Sequence, residues 1–180
     1  MKHRGFTIRA MYDRTSVVLH WVVGLAILGQ FALGWCMLDI PKDPPGMRAW
    51  WFNLHKSIGI TLAAGVVLRL IWRATHPAPA LPLPRAQRLA ATWTHRALYA
   101  CMLLMPASGY LGSSFSKYPI KFYGSALPHW GWDWPAAKAL MSTIHLTAAW
   151  ILAALVAAHV AAALWHLQRR DGLFSRMWPA

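Results

Sequence analysis

The chain has 180 residues, is 57% hydrophobic with 12 tryptophans, and carries 18 Lys and Arg against five Asp and Glu, a formal charge of +13. Several apolar runs approach membrane-spanning length, which excludes an ordinary soluble domain of this size. The basic residues lie between those runs instead of forming one stripe, which argues against nucleic-acid binding.

Residues 1–15 are a basic tail with Lys2, Arg4, Arg9 and Arg14. A first helix is expected from about Ser16 to Leu38. It is long and not followed by a small-x-small site, so it does not read as a signal peptide. Asp39–Gly46, with three prolines, reads as a loop. A second helix follows from about Trp50 to Arg73. His76–Pro84 alternates proline with apolar residues and reads as an extended linker. A third helix is expected from about Arg88 to Gly112, kinked near Pro106 and Gly109. Ser113–Pro135 reads as a long aromatic loop whose Trp130, Trp132 and Trp134 suit a membrane interface. A fourth helix covers Lys138–Gln168, and a basic tail follows from Arg169. The expectation is an all-α, four-helix membrane bundle forming one domain over residues 1–180. Cys36 and Cys101 are single residues in separate runs, expected as buried thiols. Without a C-x-x-C or C-x-x-C-H, zinc knuckles and covalent c-type haem are excluded.

Orientation follows from Lys and Arg. Twelve lie on the side of the termini and the second linker, including Arg69, Arg73, Arg85, Arg88 and Arg96. Six lie on the other: Lys42, Arg48, Lys56, Lys117, Lys121 and Lys138. Both termini are therefore expected in the cytoplasm. Only Asp39, Asp43 and Asp133 offset the six, so the outer face is also positive.

Of nine histidines, six lie in or at the edge of helices, where ionisable groups are costly and functional by default. His145 and His159 are fourteen residues apart, almost four helical turns, so they share a face and sit about 21 Å apart along the axis. That places one in each leaflet of a core about 30 Å thick. A small residue one turn on leaves a flat slot beside four imidazoles: His20 with Gly24, His55 with Gly59, His145 with Ala149 and His159 with Ala163. His95 and His166 are followed by Tyr99 and Arg170 and lack it. By depth, His20 goes with His159 and His55 with His145, as two bis-histidine haem sites. Zinc would need further Cys, Asp or Glu ligands, and a proton relay would usually add membrane carboxylates. Histidines that only bond neighbouring helices are the bland alternative.

The chain resembles bacterial dihaem cytochromes b561 over almost its whole length. The resemblance is carried by His20-Trp21, His55 with Gly59, Arg69-Leu-Ile-Trp-Arg73 followed by Pro77 and Pro79, and His95 with Tyr99, Pro106 and Gly109. It continues through Phe122-Tyr-Gly124 with Pro128 to the His145/His159/His166 ladder. It implies two non-covalent b haems ligated at His20, His55, His145 and His159, in a bacterial inner membrane. Small single-subunit members of this kind include superoxide oxidases, which take electrons from periplasmic superoxide and pass them to ubiquinone. On that expectation Lys42, Arg48, Lys56, Lys117, Lys121 and Lys138 steer the anion or, in part, snorkel to headgroups. His95, His166, Arg69 and Arg73 are candidates for a haem propionate or a quinone oxygen. Lipid is the surrounding partner, and nucleic acid is not one. Two other readings stand beside this one: a quinol-linked subunit serving a periplasmic redox partner, and a non-redox scaffold.

Overall fold

The computed structural model describes residues 11–43, 46–77 and 83–178. It contains four helices, α1 (Arg14–Cys36), α2 (Met47–Thr75), α3 (Arg85–Ser114) and α4 (Pro135–Arg169), and a 3-10 turn over Phe174–Met177. Two three-residue strands, β1 (Ile120–Phe122) and β2 (Ser125–Leu127), form an antiparallel hairpin between α3 and α4. Most of the N-terminal basic tail and of the proline linker lies outside the described residues.

The helix ends follow from local chemistry. Asp13 caps α1, its carboxylate accepting the Ser16 amide at 2.9 Å and the Ser16 hydroxyl at 2.6 Å. Met47 opens α2 after Gly46, whose φ of 93° suits glycine. Pro135 occupies the first turn of α4, where a missing N–H costs nothing. Helix α3 continues through Pro106.

Among the described residues three helices, α1, α2 and α4, are long and apolar enough to cross a membrane. Helix α3 has 30 residues, about 45 Å, but Arg85, Arg88, His95 and Arg96 make its first half polar. Packing runs α1 on α2, α2 on α3 and, most extensively, α3 on α4. Across the remaining gap α1 and α4 meet through rings, His20 with His159 and Trp35 with Trp150. The apolar faces point outward, as with Val18, Val22 and Leu25 on successive turns of α1. The interior is small: Val23, Val66, Leu98, Cys101, Met102 and Leu152 form the buried core. Leu152 lies midway between His145 and His159, so this core separates two levels of the bundle.

Both described termini lie at one end, where Trp21 Nε1–H donates to the Met177 carbonyl at 2.6 Å. We call it the tail end, and the opposite one the hairpin end. The expected loop there holds the hairpin, turning at Tyr123 and Gly124 with φ of 46° and 98°. Ser57 Oγ takes the Tyr123 amide at 2.9 Å and donates to the Asn53 carbonyl, and Tyr123 OH meets Thr61 Oγ1 at 3.1 Å. Ile120, 1% exposed, is the plug beneath it. Cys101 is buried as expected, whereas Cys36 is exposed at the end of α1, and both are free thiols.

Candidate metal-binding histidine pairs

Each level of the bundle brings one histidine of α4 against another helix. At the hairpin end His55 and His145 have ring centres 6.3 Å apart. At the tail end His20 and His159 are 6.1 Å apart. An imidazole–metal–imidazole unit with metal–nitrogen bonds near 2.0–2.1 Å spans roughly 6 Å between ring centres, so both pairs have the separation that one shared ion requires. Among the described residues no three or more His, Cys, Asp or Glu are grouped to hold a metal. A metal here would have two protein ligands, with its remaining positions filled by something else, as a planar macrocycle does.

At the hairpin end the donor chemistry is prepared. His145 Nδ1–H points at the Met105 carbonyl, 2.9 Å away, with Ser108 Oγ at 3.2 Å. A carbonyl only accepts, so the proton sits on Nδ1 and leaves the Nε2 lone pair for a ligand. Glycines let neighbouring backbones close on both rings: a Cβ at Gly34 would lie 3.3 Å from His55 Cε1, and one at Gly109 3.2 Å from His145 Cε1. The notch at Gly59, expected as an open slot, is approached by Gln30, whose Nε2 donates to the His55 carbonyl at 2.8 Å. Gln30 Oε1, Asn53 Oδ1 and His55 Nδ1 are buried without partners. All three residues line a cavity of about 810 Å³ that reaches from the histidine pair to the hairpin end.

That cavity is lined by Lys42, Arg48, Lys56 and Lys138 and, among the described residues, by no acidic one. Arg48 is held by the Ile40 carbonyl at 3.0 Å, and Lys138 lies 5.7 Å from the centre of the Tyr118 ring. Lys117 lies 5.9 Å from the same ring without lining the cavity, and Lys121 sits in β1 opposite Ala126. Four of the six expected steering residues are thus brought together around one opening.

The tail end is built differently. A third imidazole, His95 of α3, lies 5.5 Å from His159. Arg69 Nη2 donates to His20 Nδ1 at 2.9 Å, and its guanidinium covers the Tyr99 ring at 5.4 Å. A guanidinium only donates, so Nδ1 of His20 accepts, the opposite arrangement to His145. A protonated Nδ1 on His20, which leaves Nε2 free for a ligand, would require Arg69 to withdraw this donor. Arg73, one turn on, leans over Tyr12 at 5.3 Å, and His166 turns to Asp171, Nδ1 to Oδ2 2.6 Å. Of the four expected cofactor-contacting residues, His95 and Arg69 therefore join the histidine pair, and Arg73 and His166 do not. Beside Gly24 a Cβ would meet nothing within 4 Å, so the slot expected next to His20 is open. At the start of α1, outside the apolar span, the Ser16 hydroxyl and amide hold the Asp13 carboxyl below the usual carboxylate range, and Trp72 Nε1–H adds a donor at 3.0 Å.

Sequence reasoning did not find Gln30, Asn53, Ser108 or the Arg69–His20 hydrogen bond. One signal was available: His55 and Arg69 repeat on α2 the fourteen-residue spacing of His145 and His159.

The family model described as prokaryotic cytochrome b561 matches residues 11–180. Cytochrome b561 homolog 2 of Escherichia coli K12 is 34% identical over 92% of this chain and 90% of its own length. Cytochrome b561 homolog 1 of the same strain is 29% identical over 93% of this chain and 97% of its own.

Proposed function

This chain belongs to the prokaryotic cytochrome b561 family of membrane electron-transfer proteins carrying b-type haem, and on that premise we propose that it moves electrons from superoxide to a quinone across two haem sites. His55 with His145 would hold one b haem and His20 with His159 the other. When bound, such haems would supply outer-sphere, one-electron transfer. All four helices span a bacterial inner membrane, with the tail end cytoplasmic, in keeping with the twelve-to-six division of basic residues.

The observation that carries the substrate assignment is the cationic cavity leading to His55 and His145. A positive, acid-free cleft raises the local concentration and on-rate of a small anion, and Lys42, Arg48, Lys56 and Lys138 supply it. Each superoxide gives up one electron and leaves as dioxygen. Two such electrons and two protons turn one quinone into quinol. Met105 and Ser108 fix the His145 ring, Gln30 ties α1 to the His55 backbone, and at the other level Arg69 and His95 flank the second pair.

Purified protein mixed with superoxide and a soluble quinone tests the reading. Rapid appearance of reduced b-type α-bands, followed by quinone-dependent loss, is expected. Reduction by quinol but not by superoxide would favour the quinol-linked relay. Material without b-type bands after dithionite would leave only a non-redox scaffold.

A further inference from the structure

After α4 the chain reverses sharply and folds back onto the start of α1. Two left-handed residues make the reversal, Arg170 at φ 51° and Gly172 at φ 77°. Asp171 pins it by accepting His166 Nδ1 at 2.6 Å and the Leu173 amide at 3.0 Å. The 3-10 turn Phe174–Met177 then docks: Trp21 Nε1–H donates to the Met177 carbonyl at 2.6 Å, and Trp178 meets Trp21 edge-on at 5.8 Å and Phe174 at 5.3 Å. Arg176 is only 5% exposed and lies over Tyr12.

Beneath this segment is a small space lined by Ser16, Arg69, Trp72, Arg73, Tyr99 and Met177. Five of these belong to the bundle and only Met177 to the tail. The Ser16 hydroxyl and the Trp72 indole N–H already donate to Asp13, which leaves the two guanidiniums and the Tyr99 phenol as donors for carbonyl oxygens. Arg69 also touches His20, so an occupant would sit beside the tail-end histidine pair. The space is about 10 Å³, room for one water. A substituted ring with two carbonyls cannot enter unless Met177 leaves.

We infer that the segment Asp171–Trp178 is a gate: docked on Trp21 it closes the Arg69–Arg73–Tyr99 pocket, and released it admits the carbonyl head of the quinone acceptor. The inference rests on the reading above for the identity of the acceptor. The latch includes the Trp21–Met177 hydrogen bond, the ring pairings of Trp178 and the contact of Arg176 with Tyr12, and the hinge is two residues already in the left-handed region. Opening therefore breaks no helix.

Two measurements on the haem-loaded protein in detergent test it. Trypsin reaches the buried Arg176 only when the segment lifts, provided the product counted is the one that ends at Arg176 still joined to α4, since Arg169 and Arg170 are exposed; reoxidation of dithionite-reduced protein by a short-chain quinone reports entry of the acceptor. In Trp178→Ala, which lies outside the histidine sites, and in Trp21→Phe, which deletes the latch donor, cleavage after Arg176 should speed up about fivefold, the effect of removing one net hydrogen bond or an aromatic pairing of similar strength. Reoxidation by quinone should speed up with it, while reduction by superoxide stays unchanged. Faster cleavage with unaltered reoxidation would overturn the gate and leave a structural tail. Unaltered cleavage in both variants would overturn the latch. If quinone fails to oxidise the reduced wild-type protein and every variant alike, the functional reading fails and the gate fails with it; the cleavage rates would still show whether the segment lifts.

Discussion

At the hairpin end the His55–His145 pair looks into a cavity of about 810 Å³ edged with lysines, whereas at the tail end the His20–His159 pair is packed against a third imidazole and a guanidinium, under a docked segment that leaves about 10 Å³. The pair separations, 6.3 and 6.1 Å, are nearly the same. What differs is which helix faces α4 and what surrounds it. Helix α2 supplies His55 at one level and, fourteen residues on, Arg69 at the other, so α1 must provide the second histidine at the tail end. The same spacing on α4 thus serves one level that faces a broad cavity lined by cations and one level packed beneath a docked segment.

The largest test of this two-level picture is removal of a ligand at either level. His145→Ala and His159→Ala should each lower the haem-to-protein ratio by about half, one of two bis-histidine sites being abolished, and the double variant should be colourless. Pyridine haemochrome assay measures this directly. A ratio unaffected by either single change, or reduced to nothing by one, would break the picture of two separate sites.

Charge at the open end gives the next effect. Lys56→Met with Lys138→Met removes two of the four cations lining the cavity. The rate of haem reduction by superoxide should fall roughly tenfold at low salt, within the range that steering supplies. Raising ionic strength should slow the wild type, because the Debye length is about 8 Å at physiological salt, and slow the variant less. Reoxidation by quinone, proposed above for the tail end, should not respond. A superoxide rate indifferent to both changes would remove the steering role.

Glycine substitutions sharpen the comparison at smaller cost. A Cβ at Gly109 would crowd His145 at 3.2 Å, so Gly109→Ala should cost about 1–3 kcal/mol of stability and disturb the low-spin spectrum of one haem. Gly24→Ala meets nothing in the polypeptide within 4 Å. It should leave the haem-free protein as stable as before and lower haem occupancy at the tail end alone, where the slot beside His20 would be filled. Equal effects of Gly24→Ala with and without haem would argue that nothing occupies that slot.

Much of this was legible in the sequence. Hydropathy and proline punctuation gave four helices whose observed bounds, Arg14–Cys36, Met47–Thr75, Arg85–Ser114 and Pro135–Arg169, lie within three residues of those expected. The fourteen-residue spacing on α4 gave two levels, because helical rise converts residue number directly into depth. The rest depended on which faces meet. The strands of the hairpin are three residues each, too short for a period-two pattern, and their register is held by Ser57 from a distant helix. Arg69 and Arg73 are one turn apart and equivalent by composition; only packing decides that Arg69 reaches His20 and Arg73 reaches Tyr12. The reversal after α4 begins at Arg170 in a left-handed conformation, which no glycine announces there.

The smallest predicted effect is confined to the tail end. The Asp13 carboxylate caps α1 and also accepts Trp72 Nε1–H, joining the start of α1 to the end of α2 beside the closed pocket. Replacing an N-cap aspartate by alanine costs about 1 kcal/mol, so Asp13→Ala should lower thermal stability slightly and quicken amide exchange in the first turn of α1. The sign of its pH dependence is fixed by the bonds from Ser16, which favour the ionised form and hold this carboxyl below the usual range. A depressed carboxyl stabilises the fold above its ordinary pKa and loses that contribution as pH falls through the depressed one. The difference between wild type and Asp13→Ala should therefore be constant at neutral pH and shrink on acidification below about pH 4. The absorption bands of the haem at the hairpin end should not change with it. A difference that persists undiminished at about pH 2 would mean that the cap does not depend on the charge, and a parallel change at the hairpin end would mean that the two levels are not independent.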